Sequence, residues 1–128
     1  MSAYFRYQTS AAAKDVQGVL AAMRDDVRLH SPTKLKPFEG KTMVGFLFAH
    51  LFEVLQDFSF THTAVGEGRC VLFFRCQIAG REAEGCDILD FDADGQIADF
   101  SVMIRPLSAL EALNREMGAR LLAGPPLP

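Results

Sequence analysis

Apolar residues recur at helical spacing through the first part of the chain and alternate with polar ones after Asp57, which marks a switch from helix to strand. From Ala3 to about Met23 the segment is helical. Tyr4, Tyr7 and Ala11 fall on one stripe, Val16, Val19, Leu20 and Met23 continue it, and Asp15 is placed to cap a second stretch starting at Val16. Asp25-Asp26 closes this segment. Val27 to His30 then predicts a short strand that stops at Ser31-Pro32, because proline cannot donate to a ladder. The proline- and lysine-bearing segment from Thr33 to Gly40 predicts a surface loop at the rim of a pocket. A long helix is expected over Lys41 to Gln56, with Val44, Leu47, Phe48, Leu51 and Leu55 on its apolar stripe.

Four strands follow in quick succession: Phe58 to Val65, Arg69 to Ile78, Glu82 to Asp92 and Gln96 to Ile104. Their links, Gly66-Glu67-Gly68, Ala79-Gly80-Arg81 and Ala93-Asp94-Gly95, are short and carry glycine, which predicts an antiparallel meander. Ser108 and Glu111 form a capping-box start for a last helix with Leu110, Leu113, Met117 and Leu121 on its apolar stripe. Gly124-Pro125-Pro126 should stop it, leaving residues 124–128 as a loose tail. Helices followed by a curved meander predict an α+β fold in one domain, residues 1–128.

The third strand of the meander carries the most chemistry. Alternation puts Asp87 on one face with Leu89 and Phe91, and the outgoing strand contributes Phe100, Val102 and Ile104. An acid among such side chains loses solvation of its charged form, so its pKa should rise. Phe58, Phe60 and His62 share a face by the same count, so His62 is expected to point inward with the two phenylalanines. Tyr7 is either a packed aromatic or a phenol aimed into the pocket. His50, beside the helix stripe with Phe46 and Val54, is either a packed histidine or a proton carrier.

Composition narrows the function classes. With 128 residues and 49% hydrophobic content the chain can build one sizeable core. A net charge of -3 and no basic run argue against nucleic acid. No signal-peptide core or membrane-length apolar run is present, so a cytoplasmic protein without membrane contact is expected. Cys70, Cys76 and Cys86 lie in strands without paired spacing and are expected to be reduced core residues. Asp90, Asp92, Asp94 and Gly95 match the start of a calcium loop, but Ser101 stands where its bidentate glutamate belongs. His30, His50 and His62 show no metal spacing, so no metal and no cofactor is expected. Both faces of the Arg69–Ile78 strand are substantially apolar, which predicts a homodimer packed through the sheet.

Asp25-Asp26-Val27 opening the first strand, Phe38-Glu39-Gly40-Lys41 before the long helix, the run Asp87 to Asp92 into Asp94-Gly95-Gln96-Ile97, and Val102 to Leu107 together carry a resemblance. The chain resembles the nuclear transport factor 2-like superfamily, within it the SnoaL-like and ketosteroid-isomerase-like proteins. The resemblance implies a cone-shaped α+β barrel, a curved antiparallel sheet wrapped around the N-terminal and central helices, with a C-terminal helix. It also implies that Tyr7 and Asp87 occupy the two oxyanion-hole positions of ketosteroid isomerase, with Ser31 where that enzyme has its carboxylate base. Gly85 stands where epoxide-hydrolase relatives place an arginine. Two readings follow. In one, Asp87, Tyr7 and His62 perform isomerase- or cyclase-type acid-base chemistry on a small apolar or polycyclic carbonyl compound. Ser31, His50, Phe58, Phe60, Leu89, Phe91, Phe100, Val102 and Ile104 then bind the ligand. In the other, the chain is a non-catalytic ligand-binding or dimeric interaction module.

Overall fold

The computed structural model describes residues 3–122. The chain begins with α1 (Ala3–Ala12) and α2 (Val16–Ala21), followed by β1 (Met23–His30), β2 (Phe38–Glu39) and α3 (Lys41–Val54). It continues through β3 (Leu55–Gly66), β4 (Arg69–Ile78), β5 (Arg81–Phe91), β6 (Ile97–Arg105) and α4 (Leu107–Leu122). The fold is α+β: a curved, unclosed six-stranded sheet in the order β2-β1-β6-β5-β4-β3, with helices from both ends of the chain against one face.

The meander forms as its turns require. The β5–β6 turn shows why: Asp92 Oδ1 accepts from the Asp94 and Gln96 N–H groups, and Gly95 takes a positive φ of 79°. Asp15 caps α2, its side chain accepting from Gly18 N–H at 3.1 Å. The core lies between the inner sheet face and the helices, with Met23, Val27, Leu72, Ile78, Leu89, Ile97 and Phe100 fully enclosed beneath Tyr7, Val19, Val44 and Phe48.

Several expected boundaries move. The first strand starts at Met23 rather than Val27, because Met23 pairs with Ile97 in parallel β6 and the Ala22 carbonyl accepts from Ile97 N–H. The rim segment contains the two-residue strand β2, which pairs Phe38 with Leu29 and Glu39 with Arg28. The long helix stops at Val54, and Leu55 already pairs with Ile78. Ser108 lies inside α4 instead of capping it; the Pro106 carbonyl accepts from Ala109 and Leu110 N–H groups and opens the helix. The stop expected at Gly124-Pro125-Pro126 lies outside the described residues. Among the described residues no helix is long and apolar enough to cross a membrane.

Candidate functional site

Asp87 is the one charged side chain buried among the described residues. Strand pairing explains why: on β5 it stands between Leu72 of β4 and Val102 of β6, both buried on the same inner face. Above it, α1 delivers Tyr7, whose hydroxyl donates to Asp87 Oδ2 at 2.8 Å. The phenol ring is held edge-on by Phe48, Phe60 and Phe100, with centroids 6.3, 6.3 and 5.0 Å away.

This setting shifts both groups. Burial pushes the Asp87 carboxyl up to about 7, against the opposing pull of the Tyr7 hydrogen bond. Burial, reinforced by the neighbouring carboxylate, holds the Tyr7 phenol well above its ordinary range. The contrast with Asp99 shows how local the effect is. Burial would raise Asp99 too, but hydrogen bonds from His30 and Arg28 outweigh it and hold that carboxyl below the ordinary range. Among the described residues Asp87 has no cation against it; it has a phenol and hydrocarbon.

The pair closes the deep end of a cavity of about 390 Å³, within the range of roughly 300–1,000 Å³ usual for small-molecule sites. Leu29 of β1, Leu47, Phe48, Leu51 and Phe52 of α3, Phe58 of β3, Phe74 of β4 and Phe100, Val102 and Ile104 of β6 make its walls apolar. Phe58 stacks on Phe74 at 4.9 Å. α4 supplies one side with Leu113, Asn114, Met117, Gly118 and Leu121.

Of the residues singled out in the sequence, Tyr7, Asp87, Ser31, Phe58, Phe100, Val102 and Ile104 meet at this cavity. The others do not. Leu89 is fully enclosed in the core next to the site, and Phe91 and Phe60 pack against that core without lining the cavity. His50 turns to Phe46, with ring centroids 4.9 Å apart, and neither ring nitrogen has a hydrogen-bond partner among the described residues. His62 requires a correction. The β3–β4 register shifts between Gln56 and Ser59 and again between Phe60 and His62, so Phe60 faces Phe74 but His62 faces Phe73. The second bulge reverses the alternation and carries His62 to the outer sheet face, in a groove with Phe73, Arg75, Cys86 and Met103.

Ser31 lines the cavity, yet its hydroxyl oxygen accepts the Lys34 backbone N–H at 3.2 Å, so it shapes the rim turn. His30 next to it faces away and meets Asp99 Oδ1 at 3.0 Å. Lys34, expected in the rim loop but read as solvated surface, lines the cavity, and Asn114 was missed, because an exposed polar residue on a helix has no sequence pattern that separates it from ordinary surface. The acidic run after Asp87 is engaged elsewhere: Asp90 pairs with Arg69 and Asp92 holds the β5–β6 turn. The cysteines remain thiols, with burial pushing Cys70 and Cys76 up to about 11.

A curved, unclosed six-stranded sheet with helices from both chain ends is the cone of the nuclear transport factor 2-like class of α+β proteins, and in this chain it encloses a buried tyrosine–aspartate pair. Residues 4–100 match the family model described as the SnoaL-like domain, and the chain belongs to that family. It is similar to a steroid delta-isomerase from Pseudomonas aeruginosa, 32% identical over 94% of this chain and 90% of the other, with a TM-score of 0.88. It is also similar to an uncharacterised bacterial protein with a cystatin-like fold from Silicibacter pomeroyi, 28% identical over 95% and 86% of the two chains, TM-score 0.91. A putative ketosteroid isomerase from Kribbella flavida, 13% identical over 81% and 76%, shares the fold with a TM-score of 0.69. No curated protein matches the sequence.

Proposed function

We propose that the chain binds a small apolar molecule carrying a carbonyl or phenol oxygen, and that Asp87, in its protonated form, donates to that oxygen with Tyr7 in support. The observation that carries this reading is the buried Tyr7–Asp87 hydrogen bond at the end of an otherwise apolar cavity. Tyr7 takes one carboxyl oxygen and leaves the other for a ligand. A neutral carboxyl in a dry site is a strong, preorganised donor, and a carbonyl that accepts from it becomes polarised.

The second reading is turnover of the isomerase or cyclase type. Similarity to the Pseudomonas aeruginosa steroid delta-isomerase supports it, and so does a carboxyl that can both hold and release a proton near neutral pH. Asp87 would then be the proton carrier as well as the donor, since the described lining residues include no imidazole and no second carboxylate.

Calorimetric titration of 2-naphthol and a fused-ring ketone at pH 6 tests the binding reading. Asp87→Ala should weaken both at least tenfold, the worth of roughly 1.4 kcal/mol for one buried hydrogen bond. The wild type, but not the variant, should also lose affinity for the ketone between pH 6 and 9 as the donor ionises. Equal affinity in wild type and variant would reject the assignment.

On the outer face, Phe73 and Met103 are exposed, and we assign this surface to a homodimer. Sedimentation equilibrium should give twice the 14.1 kDa chain mass at micromolar concentration. Phe73→Glu should return it to one chain; a wild type that is monomeric throughout rejects the pairing.

A further inference from the structure

The cavity is chemically lopsided along its length. At its deep end the polar groups are Tyr7 and Asp87, both buried and joined to each other. Its exposed end carries Lys34, on the rim turn after β1, and Asn114, on α4, both lining residues that are exposed. Between the two ends the walls are predominantly aliphatic and aromatic.

Lys34 differs from most cations of the molecule. Arg24, Arg28, Lys41, Arg69, Arg75, Arg105 and Arg120 each meet a carboxylate, whereas the Lys34 ammonium has no acidic partner among the described residues. Among the described residues Asp87 is the one acidic residue on the cavity wall, and it is buried at the far end. An ammonium with no ion-pair partner among the described residues and an amide N–H donor, with no carboxylate lining that end of the cavity, make an end that favours an anion. The turn keeps Lys34 there, since its own backbone N–H is tied to Ser31 Oγ at 3.2 Å.

We infer that the preferred ligand is an amphipathic acid: an apolar body with a carbonyl or phenol oxygen at one end for Asp87 and a carboxylate at the other for Lys34 and Asn114. This rests on the cavity being the ligand site. Lys34 and Asn114 are then specificity-determining residues. Lys34 contributes charge attraction and Asn114 a directed hydrogen bond, while neither touches the oxygen bound at the deep end.

The test uses the full chain and a matched pair of probes, 2-naphthol and 6-hydroxy-2-naphthoic acid, titrated calorimetrically at pH 6, where the carboxylate is charged and the phenol neutral. The acid should bind about fivefold tighter than 2-naphthol, the return of a partly exposed ion pair. In Lys34→Met the advantage should vanish, in Lys34→Glu it should reverse, and in Asn114→Ala it should shrink, while 2-naphthol affinity stays constant in all three. Added salt should erode the advantage in the wild type and in Asn114→Ala, where the Lys34 charge remains, weaken the reversal in Lys34→Glu, and leave Lys34→Met unchanged. If both probes bind equally well and both are lost in Asp87→Ala, the cavity is the ligand site and the mouth does not select an anion. An advantage that survives Lys34→Met also overturns the inference. If neither probe binds the wild type, the ligand-site reading fails and this inference fails with it.

Discussion

Asp87→Asn is expected to stabilise the protein at pH 8 and to flatten its pH dependence. In the folded chain burial pushes the carboxyl up to about 7, whereas in the unfolded chain it titrates near 3.9. Between those values the folded state keeps a proton that the unfolded state has released, so stability falls as pH rises, and the whole penalty is present above the folded pKa. Its size is on the order of 4 kcal/mol. Asparagine has nearly the same shape, carries no charge at either pH, and can accept the Tyr7 O–H through its amide oxygen. Urea unfolding from pH 4 to 8.5 should therefore show wild type and variant close together at pH 4 and the variant pulling ahead toward pH 8. Parallel curves, or a variant less stable at pH 8, would mean that Asp87 is ionised in the native state at little cost. Tyr7→Phe should steepen the wild-type trend, because it removes the hydrogen bond that holds the carboxyl pKa down.

The second large effect is expected at Gly85, two residues before Asp87 on the same inner face. A Cβ built there would drive into the Met103 carbonyl oxygen of β6 and would sit 2.9 Å from Phe74 Cζ. The first obstacle is backbone in a paired strand, where Gly85 faces Ile104, so it cannot swing aside as a side chain would. Gly85→Ala should cost about 3 kcal/mol or more, at the upper end of overpacking penalties, and thermal unfolding should show it as a fall of many degrees. The same crowding gives a physical reason for the absence of an arginine at this position: any side chain would have to displace β6 or Phe74. A Gly85→Ala protein with wild-type melting temperature would show that β5 and β6 are further apart than this.

What was legible in the sequence was the part governed by short-range rules. In β5 and β6 the alternation runs almost without interruption and the turn between them is fixed by Asp92 and Gly95, so Asp87, Phe100, Val102 and Ile104 could be placed on one inner face. β3 breaks that rule twice. Bulges after Gln56 and after Phe60, the first beside Asp57 at a φ of 50°, shift register without any glycine to announce them, and His62 was assigned to the wrong face for that reason. Met23 continues a helical stripe in sequence, yet pairing with Ile97 draws it into a strand, a long-range preference that local spacing cannot display. β2 is the extreme case, two residues that are extended because Arg28 and Leu29 lie beside them.

The site divided along the same line. Tyr7 and Asp87 were visible because an apolar strand face makes an acid conspicuous, and a helical stripe does the same for a tyrosine. Lys34 could be placed at the rim but not told apart from its neighbouring surface lysines, and Asn114 was invisible, since the significance of both comes only from the cavity that α4 and the rim turn enclose between them. His50 and Phe60 looked like lining residues from their neighbours in sequence, but His50 turns to Phe46 and Phe60 supports Tyr7 from the side.

The account stands on Asp87 holding its proton up to near-neutral pH, and carbon-13 NMR of the side-chain carboxyls, with Asp87 assigned by comparison with Asp87→Asn, measures that directly. The resonance should titrate with a midpoint of about 7. A midpoint near the ordinary value of about 3.9 would contradict it, leaving a charged carboxylate at the end of the cavity and no neutral donor for a ligand oxygen.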